Sequence, residues 1–349
     1  MNNINVIGID LAKNVFQLHG INIQGKVTLK KRLTRDKLLP QIAQINQCVI
    51  GIEACGGSHY WARKFKSLGH EVKMMSPQYV KPYIKTNKND ANDAEGICEA
   101  VTRPTMRFVP IKTIEQQDIL SIHRVKSRLI ENRTQLANQI RGLLMECGIA
   151  IKKGITQLKI IPTILADEKN ELSYHGRELI EDLYSEFLEL KNKITRYEEK
   201  IKIFAKKDKR CVCLETIPGI GKITATAAVA MVGNGEVFKK GRHFSAWLGL
   251  VPRQNSNGDK NKLLGISKRG NCYLRTLFIH GARAAINASL KKDKTDKVSV
   301  WIKQLVERCG INKATVALAN KNARIAWALL VSKNCYNGKY ACGFDESNS

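Results

Sequence analysis

Acidic residues are scarce in this chain: its 349 residues include 31 Asp and Glu against 58 Lys and Arg, which gives a formal net charge of +27. A positive surplus of this size indicates a polyanionic partner, because neutralising phosphates and releasing their counterions supplies affinity that does not depend on sequence. The alternative is a basic, solvated surface without such a partner. Apolar residues make up 43% of the chain, so extensive disorder is not expected.

Long apolar runs and cysteine pairs are also missing. No stretch approaches the roughly 18 apolar residues that a membrane helix needs, and the first residues do not lead from a basic into an apolar segment. We therefore expect a cytoplasmic protein without a membrane partner. The ten cysteines include no Cys-x-x-Cys pair, and the spacing of Cys211 and Cys213 is unusual for zinc, so reduced thiols are expected.

The N-terminal third alternates short apolar runs with helical stretches. Strands are predicted at 4–9, 15–21, 26–33, 48–53 and 71–75, with helices near 36–46 and 58–68. The first three strands resemble a meander. This order predicts a mixed α/β domain.

A helical arm is predicted next. Pro104 and Pro110 interrupt the chain, and Thr113 with Gln116 three residues later has the pattern of a capping box at the start of a long helix. Apolar residues then recur at heptad-compatible spacing over 122–143, and again over 183–204. Core packing of these two helices as an antiparallel hairpin is the first interpretation, and oligomerisation is a second use of the same surface.

The C-terminal part differs from the arm in composition. From about residue 211 the predicted helices are basic and are separated by glycines, and an Ala-rich apolar helix follows at 313–331. The tail after Tyr340 is polar and is expected to be disordered. These changes predict an N-terminal domain at 1–108, an arm at 109–208, a mainly α domain at 209–340 and a tail at 341–349.

Four carboxylates stand at the edges of these elements. Asp10 and Glu53 each end an apolar run, whereas Asp90 and Asp93 open a helix-like segment and, being three apart, share one helix face. Carboxylates that converge beside buried strands are tolerable with a cation between them, and Mg²⁺ takes such oxygen ligands and bridges them to phosphate. The alternative is that they are separate caps and surface residues.

A glycine-rich turn at 217–225 lies between two apolar helical stretches and looks like a helix-hairpin-helix. Gly219 and Gly221 would allow the tight turn and expose backbone N–H groups that bind a DNA phosphate, and Lys222 favours this interpretation. A purely structural turn between helices explains the glycines nearly as well.

A third motif runs from Gly249 through the segment 266–275 and is predicted to form a turn, a basic loop and then a helix. Ser256, between two Asn residues and close to Gly258, is most simply a turn former. The functional interpretation makes Ser256 a nucleophile on a DNA phosphate. The basic residues that would then neutralise the phosphate oxygens are Arg253, Lys268, Arg269 and Arg275.

Taken in order, these motifs resemble the DEDD insertion-sequence transposases of the IS110 type, which are related to the Piv invertase. The resemblance covers almost the whole chain and rests on five segments: Gly8 to Lys13, Ile52 to Ala54, Asn87 to Ala94, Pro218 to Gly221 and Gly249 to Arg253.

The resemblance implies an RNase H-like, RuvC-like N-terminal fold, a coiled-coil insert and a C-terminal transposase domain with a serine nucleophile. Asp10, Glu53, Asp90 and Asp93 would be its DEDD set. It also implies donor and target DNA as substrates, a structured bridge RNA as guide, and assembly of several protomers, a dimer or tetramer, through the arm.

The loop departs from the family pattern in one respect. The family commonly places Ser directly before the loop glycine, whereas here Asn257 precedes Gly258 and Ser256 comes one residue earlier. Three other interpretations stay open: a metal-dependent junction resolvase or nuclease that uses water, a non-catalytic basic nucleic-acid-binding protein, and, least favoured, an actin-like sugar kinase.

Overall fold

The computed structural model describes residues 4–85, 89–258, 260–291, 296–332 and 336. The chain divides into two units, Met1–Glu115 (unit 1) and Gln116–Ser349 (unit 2). Asn87 and Lys88 of the segment Asn87 to Ala94, Asp259 of the loop and the predicted tail 341–349 lie outside the described residues.

Unit 1 is built on a six-stranded mixed sheet. Its strands are β1 (Val6–Leu11), β2 (Val15–Ile21), β3 (Val27–Thr34), β4 (Val49–Glu53), β5 (Glu71–Met75) and β6 (Phe108–Val109), in the order β3-β2-β1-β4-β5-β6. The pairs β1–β2 and β2–β3 are antiparallel, β1–β4 and β4–β5 are parallel, and β5–β6 is antiparallel. All five predicted strands are confirmed within about two residues, whereas the short β6 was not predicted.

Helices cover both faces of this sheet. They are α1 (Arg35–Ala43), α2 (Ser58–Ser67), α3 (Pro77–Val80) and α4 (Asp90–Val101), with a 3-10 turn at Lys81–Tyr83. On one face, Ile7, Ile9, Ile50 and Ile52 pack with side chains of α1 and α2. On the other face, Val6 packs with Ile97, Cys98 and Val101 of α4. The two sets alternate along β1, as the period of two in a strand requires.

Unit 2 begins within the first helix of the predicted helical arm, two residues after that helix starts. The arm contains α5 (Ile114–Glu146), a 3-10 helix at Ile155–Ile160, α6 (Ile161–Ala166) and α7 (Tyr174–Lys207). Leu136 and Ile140 of α5 share one buried cluster with Phe187 and Leu190 of α7, so the predicted packing between the two helices is confirmed within a single chain. Lys126 of α5, although buried, is ion-paired with Glu198 of α7 at 3.0 Å.

The remainder of unit 2 surrounds a second core. Its elements are α8 (Lys209–Glu215), α9 (Lys222–Val232), α10 (Gly241–Trp247), β7 (Pro252–Asn257), β8 (Lys260–Ile266), α11 (Cys272–Lys291) and α12 (Lys297–Ser332). Gly310 interrupts α12 with a φ of +76°, and the predicted Ala-rich helix at 313–331 is the part that follows. The division of this unit near residue 208 stays a prediction. Within the described ranges, no helix is both long and apolar enough to cross a bilayer.

The segment 252–266 corrects a prediction. It was expected to form a turn and a basic loop, but β7 and β8 pair as an antiparallel two-stranded ribbon. The six residues of β7 are polar apart from Pro252 and are exposed, so the alternation of apolar and polar residues that marks a half-buried strand is absent. Gly258, which directly follows β7 and has a φ of +54°, is the local signal for a hairpin that could have identified it.

A buried polar network joins α5, α9 and α11 inside unit 2. His123 is 1% exposed, and its Nδ1 and Nε2 lie 2.9 Å from the Tyr273 hydroxyl and 3.0 Å from Thr226 Oγ1. Because the Thr226 hydroxyl donates to the Lys222 carbonyl at 2.7 Å, the imidazole donates from Nε2 and accepts from Tyr273 at Nδ1. Burial lowers the pKa of His123 to about 4 and raises that of Tyr273 to about 12.

Candidate active site

Two of the four predicted carboxylates come from adjacent parallel strands. The register of β1 and β4 pairs Ile9 with Ile52, which places Asp10 and Glu53 next to each other at the carboxyl ends of the strands. Since side chains alternate along a strand, both carboxylates lie on the face opposite Ile9 and Ile52. That is the face on which α4 packs.

Gly8 brings α4 directly onto β1. A Cβ built at Gly8 would lie 2.2 Å from the carbonyl oxygen of Ala94 and 2.4 Å from the amide nitrogen of Cys98, so any side chain there would push the helix away. Gly8 stands two residues before Asp10 on the same face of β1. The close approach therefore carries the first turn of α4 to the carboxyl end of β1.

The first turn of α4 supplies two further carboxylates. Oxygen atoms of Asp10, Asp90 and Asp93 all lie within 4.8 Å of one another, so three of the four predicted residues come together. Glu53 is not a member of this group of three, although it occupies the neighbouring strand position. The cap of α4 is Asn89, whose side chain accepts from the Ala91 amide at 3.1 Å, so the alternative that Asp90 is the N-cap is wrong.

The surroundings of the cluster suit a divalent cation. Oδ1 of Asp93 is buried and has no hydrogen-bond partner among the described residues. An unpartnered buried carboxylate oxygen is costly, and its burial beside two other carboxylates adds repulsion. A cation with hard oxygen ligands, such as Mg²⁺, would remove both penalties. The residues present therefore fit a divalent metal.

The thiol of Cys55 lies close to the same carboxylates. This thiol follows β4, and its pKa is raised first by burial and then by the negative charges of Glu53 and Asp10. The three groups that converge are carboxylates, so the cluster offers oxygen ligands.

The predicted helix-hairpin-helix turn lies between α8 and α9. Gly219 adopts a φ of +90°, and a Cβ built there would lie 2.5 Å from the Gly281 carbonyl oxygen of α11. Asn322 of α12 donates to the Pro218 carbonyl at 2.8 Å. These contacts support a structural role for Gly219, whereas Gly221 is exposed and has nothing within 4 Å of the position of an added Cβ.

Lys222 begins α9 directly after this turn. Its ammonium lies 3.7 Å from a carboxylate oxygen of Glu215, and the side chain is 40% exposed. A partly exposed ion pair of this length contributes little to stability, so it leaves Lys222 able to turn towards a phosphate. Nucleic-acid binding by Gly219, Gly221 and Lys222 stays a prediction.

The two halves of the third motif pack against each other. A Cβ at Gly249, whose φ is +72°, would lie 2.2 Å from the Arg269 carbonyl oxygen, and one at Gly270 would lie 1.8 Å from the Trp247 carbonyl oxygen. Lys268 adopts a φ of +54° in the same turn. The side chains of Lys268 and Arg269 are exposed, which leaves both available to a phosphate.

Arg275 is a correction to the predicted set of phosphate ligands. The residue is 8% exposed, and its Nη1 donates to the carbonyl oxygens of Leu248 at 3.0 Å and Arg269 at 3.2 Å. A guanidinium that is buried and hydrogen-bonded to the main chain holds the turn at 268–270 in place. Sequence spacing alone does not distinguish it from its exposed basic neighbours.

Ser256 and Arg253 lie on the exposed strand β7. Ser256 is opposite Asn261 of β8, and its Oγ accepts a hydrogen bond from Nε2 of Gln254 at 2.8 Å. Sequence reasoning missed Gln254, although its spacing of two from Ser256 on a strand would have placed both side chains on one face.

Known proteins match both parts of the chain. A family model described as "Transposase IS116/IS110/IS902 family" matches residues 211–296, and a DEDD model of the IS110 group, described as "Transposase", matches residues 7–149. A "Probable family 20 transposase" of Pseudomonas aeruginosa is 47% identical over 96% of this chain and 99% of its own length.

Two further relatives come from other bacteria. The "Transposase for insertion sequence element IS1111A" of Coxiella burnetii is 47% identical over 96% of this chain and 92% of its own length. The "Transposase for insertion sequence element IS1328" of Yersinia enterocolitica is 39% identical over 94% of this chain and 97% of its own length. The chain therefore belongs to the IS116/IS110/IS902 family of transposases, enzymes that cleave DNA and transfer its strands.

Proposed function

We propose that this protein cuts and rejoins DNA for its own insertion sequence, using the four carboxylates as a divalent-metal site and Ser256 as the nucleophile. The observation that supports the metal site is that carboxylate oxygens of Asp10, Asp90 and Asp93 all lie within 4.8 Å of one another. In addition, Oδ1 of Asp93 is buried and has no hydrogen-bond partner among the described residues. The membership of the transposase family supports the reaction class.

An RNase H-like, RuvC-like fold for unit 1 is part of the proposal. Its support is the antiparallel meander β1–β3 followed by the parallel strands β4 and β5, with acidic residues at the carboxyl ends of β1 and β4. The match of residues 7–149 to a DEDD transposase model agrees with this fold.

Asp10, Asp90 and Asp93 would hold the cation, with Glu53 as a fourth ligand from the neighbouring strand. When bound, a Mg²⁺ ion supplies charge stabilisation on the oxygens of the scissile phosphate. The protein keeps the ligands in place because Gly8 fixes α4 on β1 and Asn89 caps the helix. The rigid scaffold means that little reorganisation is needed when the phosphate arrives.

Ser256 would attack the phosphorus atom through Oγ. The Oγ–P bond forms as the bond from phosphorus to the leaving deoxyribose oxygen breaks, and the proton lost from Oγ passes through water to that leaving oxygen. The phosphoserine ester conserves the energy of the phosphodiester, so an incoming DNA hydroxyl can displace Oγ without an external nucleotide. Arg253, Lys268 and Arg269 would contact the phosphate oxygens, and Gly219, Gly221 and Lys222 the DNA backbone.

A bridge RNA as guide and a homo-oligomer, a dimer or tetramer joined through the arm, complete the proposal. The net charge of +27 supports a chain that binds more than one nucleic acid. Exposed apolar side chains on α7, among them Leu179 and Leu188, support a second copy packing on the arm. The reaction would take place in the cytoplasm, where the DNA of the element lies.

A junction resolvase or nuclease that uses water is the second candidate. It is favoured by one observation: Asp10, Asp90 and Asp93 all belong to unit 1, so the cluster assembles without any residue of the serine-bearing ribbon. Formation of a covalent bond between protein and DNA separates the two candidates, because water leaves no such bond.

The metal half can be tested with Asp10→Asn. DNA carrying the complete element, incubated with protein purified from cells that also carry the element, should be cut in Mg²⁺ by the wild type and not by the variant. Asp36→Asn, an exposed acidic residue of α1, is the matched control and should cut normally. Equal cutting by all three proteins would contradict the metal site and favour the non-catalytic interpretation of the carboxylates.

A further inference from the structure

The ribbon β7–β8 carries a side-chain network around Ser256. Gln254 and Ser256 are two residues apart on β7 and share a face, and Asn261 of β8 is the partner of Ser256 across the ribbon. Nε2 of Gln254 donates to Ser256 Oγ at 2.8 Å and to Asn261 Oδ1 at 3.2 Å. Both protons of the Gln254 amide are thus used, and Asn261 holds the amide in the orientation that points at Oγ.

From this geometry we propose that Gln254 is a positioning residue that orients Ser256 and stabilises the charge that develops on its Oγ. The proposal rests on the proposed role of Ser256 as nucleophile. A serine hydroxyl oxygen has two lone pairs, and with one of them accepting the amide proton, the other lone pair and the hydroxyl proton are held in a defined direction. The serine is therefore prepared for attack before DNA binds.

The same donor acts in both halves of the reaction. As Oγ loses its proton and bonds to phosphorus, a hydrogen bond from Gln254 stabilises the partial negative charge on the oxygen. When an incoming hydroxyl later displaces Oγ, the Oγ–P bond breaks and the negative charge returns to the same atom. Gln254 then stabilises the leaving group, and Oγ takes a proton from the incoming hydroxyl through water.

Exposure argues against a merely structural role for this network. All residues of β7 are exposed, so neither Gln254 nor Ser256 has a buried polar group that needs a partner. Hydrogen bonds between exposed side chains add little to stability because water competes for both partners. Loss of the Gln254 amide should therefore leave the fold intact and act on the chemistry.

Alternation along β7 provides a matched control on the opposite face. Asn255, between Gln254 and Ser256 in the regularly paired part of β7, lies on the face away from both. Asn255→Asp adds the same charge to the ribbon as Gln254→Glu, but without a contact to Oγ. Any effect of charge on DNA binding is therefore shared by the two variants, and an effect on the reacting oxygen belongs to Gln254→Glu alone.

The test measures the single-turnover rate of covalent protein–DNA adduct formation from pH 4.5 to 8.5, on DNA carrying the complete element. Gln254→Ala should lower the rate about 10- to 100-fold at pH 8, with unchanged DNA affinity and melting temperature. Gln254→Glu should be as slow at pH 8 but should recover relative to wild type below about pH 5, where its protonated carboxyl group can donate again. Asn255→Asp should show no such recovery.

The outcomes separate this inference from the proposal on which it rests. If Ser256→Ala abolishes the adduct while Gln254→Ala forms it at the wild-type rate, the positioning role is overturned and the nucleophile stands. A rate for Gln254→Glu that parallels the wild type at every pH would overturn it equally. If Ser256→Ala still forms the adduct at the wild-type rate, the assignment of Ser256 as the nucleophile is overturned, and the role of Gln254 with it.

Discussion

Gly8 of β1 lies against the backbone of Ala94 in α4, at a distance that leaves no room for a side chain: an added Cβ would be 2.2 Å from the Ala94 carbonyl oxygen. This contact sets the distance between strand and helix, and the carboxylates of Asp10, Asp90 and Asp93 extend from the two elements just beyond it. The geometry of the acidic cluster therefore depends on the absence of a side chain at position 8.

Gly8→Ala should destabilise the protein and weaken metal binding together. The added methyl group meets backbone atoms, which cannot rotate away, and overpacking of this kind costs about 1–3 kcal/mol. Thermal unfolding with and without Mg²⁺ measures both effects. Gly56→Ala is the control, since nothing lies within 4 Å of its added Cβ, and it should melt and bind metal as the wild type does. Normal metal binding by Gly8→Ala would contradict the account of the cluster.

Asp93→Asn should remove most of the stabilisation that Mg²⁺ provides. A ligand that binds the folded state alone stabilises it by about 2.7 kcal/mol when its free concentration is 100 times its Kd. The variant loses the charge of Asp93, whose buried Oδ1 has no hydrogen-bond partner among the described residues, so its melting temperature should rise little with added Mg²⁺. In the absence of metal it should melt at or above the wild-type temperature, because repulsion within the cluster is relieved.

Asp36→Asn removes an exposed carboxylate of the same unit and should keep the full response to Mg²⁺. An equal rise in melting temperature for Asp93→Asn and the wild type would place the metal elsewhere.

His123 should make unit 2 sensitive to acid. Burial lowers its pKa from 6.5 to about 4 in the folded chain, so between these values the unfolded chain binds a proton that the folded chain does not. Stability is therefore lost as the pH falls from about 6.5 towards 4, by about 3 kcal/mol in total. Urea unfolding at a series of pH values should show this slope in the wild type and a smaller one in His123→Gln.

His175 provides the comparison, because its side chain is 90% exposed on α7. His175→Gln should retain the wild-type dependence of unfolding free energy on pH. The same slope in His123→Gln and the wild type would mean that the buried imidazole is not the group that titrates.

Two neighbouring arginines should behave in opposite ways. Arg275→Ala removes the donor to the carbonyl oxygens of Leu248 and Arg269, so it should lower stability by about 1–3 kcal/mol. Arg269→Ala removes an exposed guanidinium, so it should leave the melting temperature unchanged. It should weaken DNA binding, and the slope of the logarithm of the DNA association constant against the logarithm of the salt concentration should become smaller in magnitude by about 1. The reverse pattern would restore Arg275 as a phosphate ligand.

Local patterns predicted much of this structure. The strands of unit 1 and the two arm helices follow from apolar periodicity, and Asp10, Asp90 and Asp93 follow from their places at the ends of these elements. The ribbon β7–β8 was missed because its first strand, β7, is exposed throughout and polar apart from Pro252, so β7 has no apolar alternation to detect.

Other features depend on contacts between distant parts of the chain. The burial of Arg275 depends on the turn at 247–249, and the contact of Gly219 depends on Gly281 in α11, more than sixty positions away. The hydrogen bond from Gln254 to Ser256 is local, but it depends on an extended backbone over 252–257, and the basic composition of this segment predicts a loop instead.

We propose above all that Ser256 forms a covalent bond to DNA in a reaction that needs the acidic cluster. Mass spectrometry of peptides from protein trapped on DNA of the complete element under denaturing conditions tests this directly. We expect a nucleotide joined to Ser256 in the wild type, and no adduct in Ser256→Ala or Asp10→Asn. Cleaved DNA without any adduct would contradict the serine and favour water, and a nucleotide on Ser267 or another residue would contradict the assignment of Ser256.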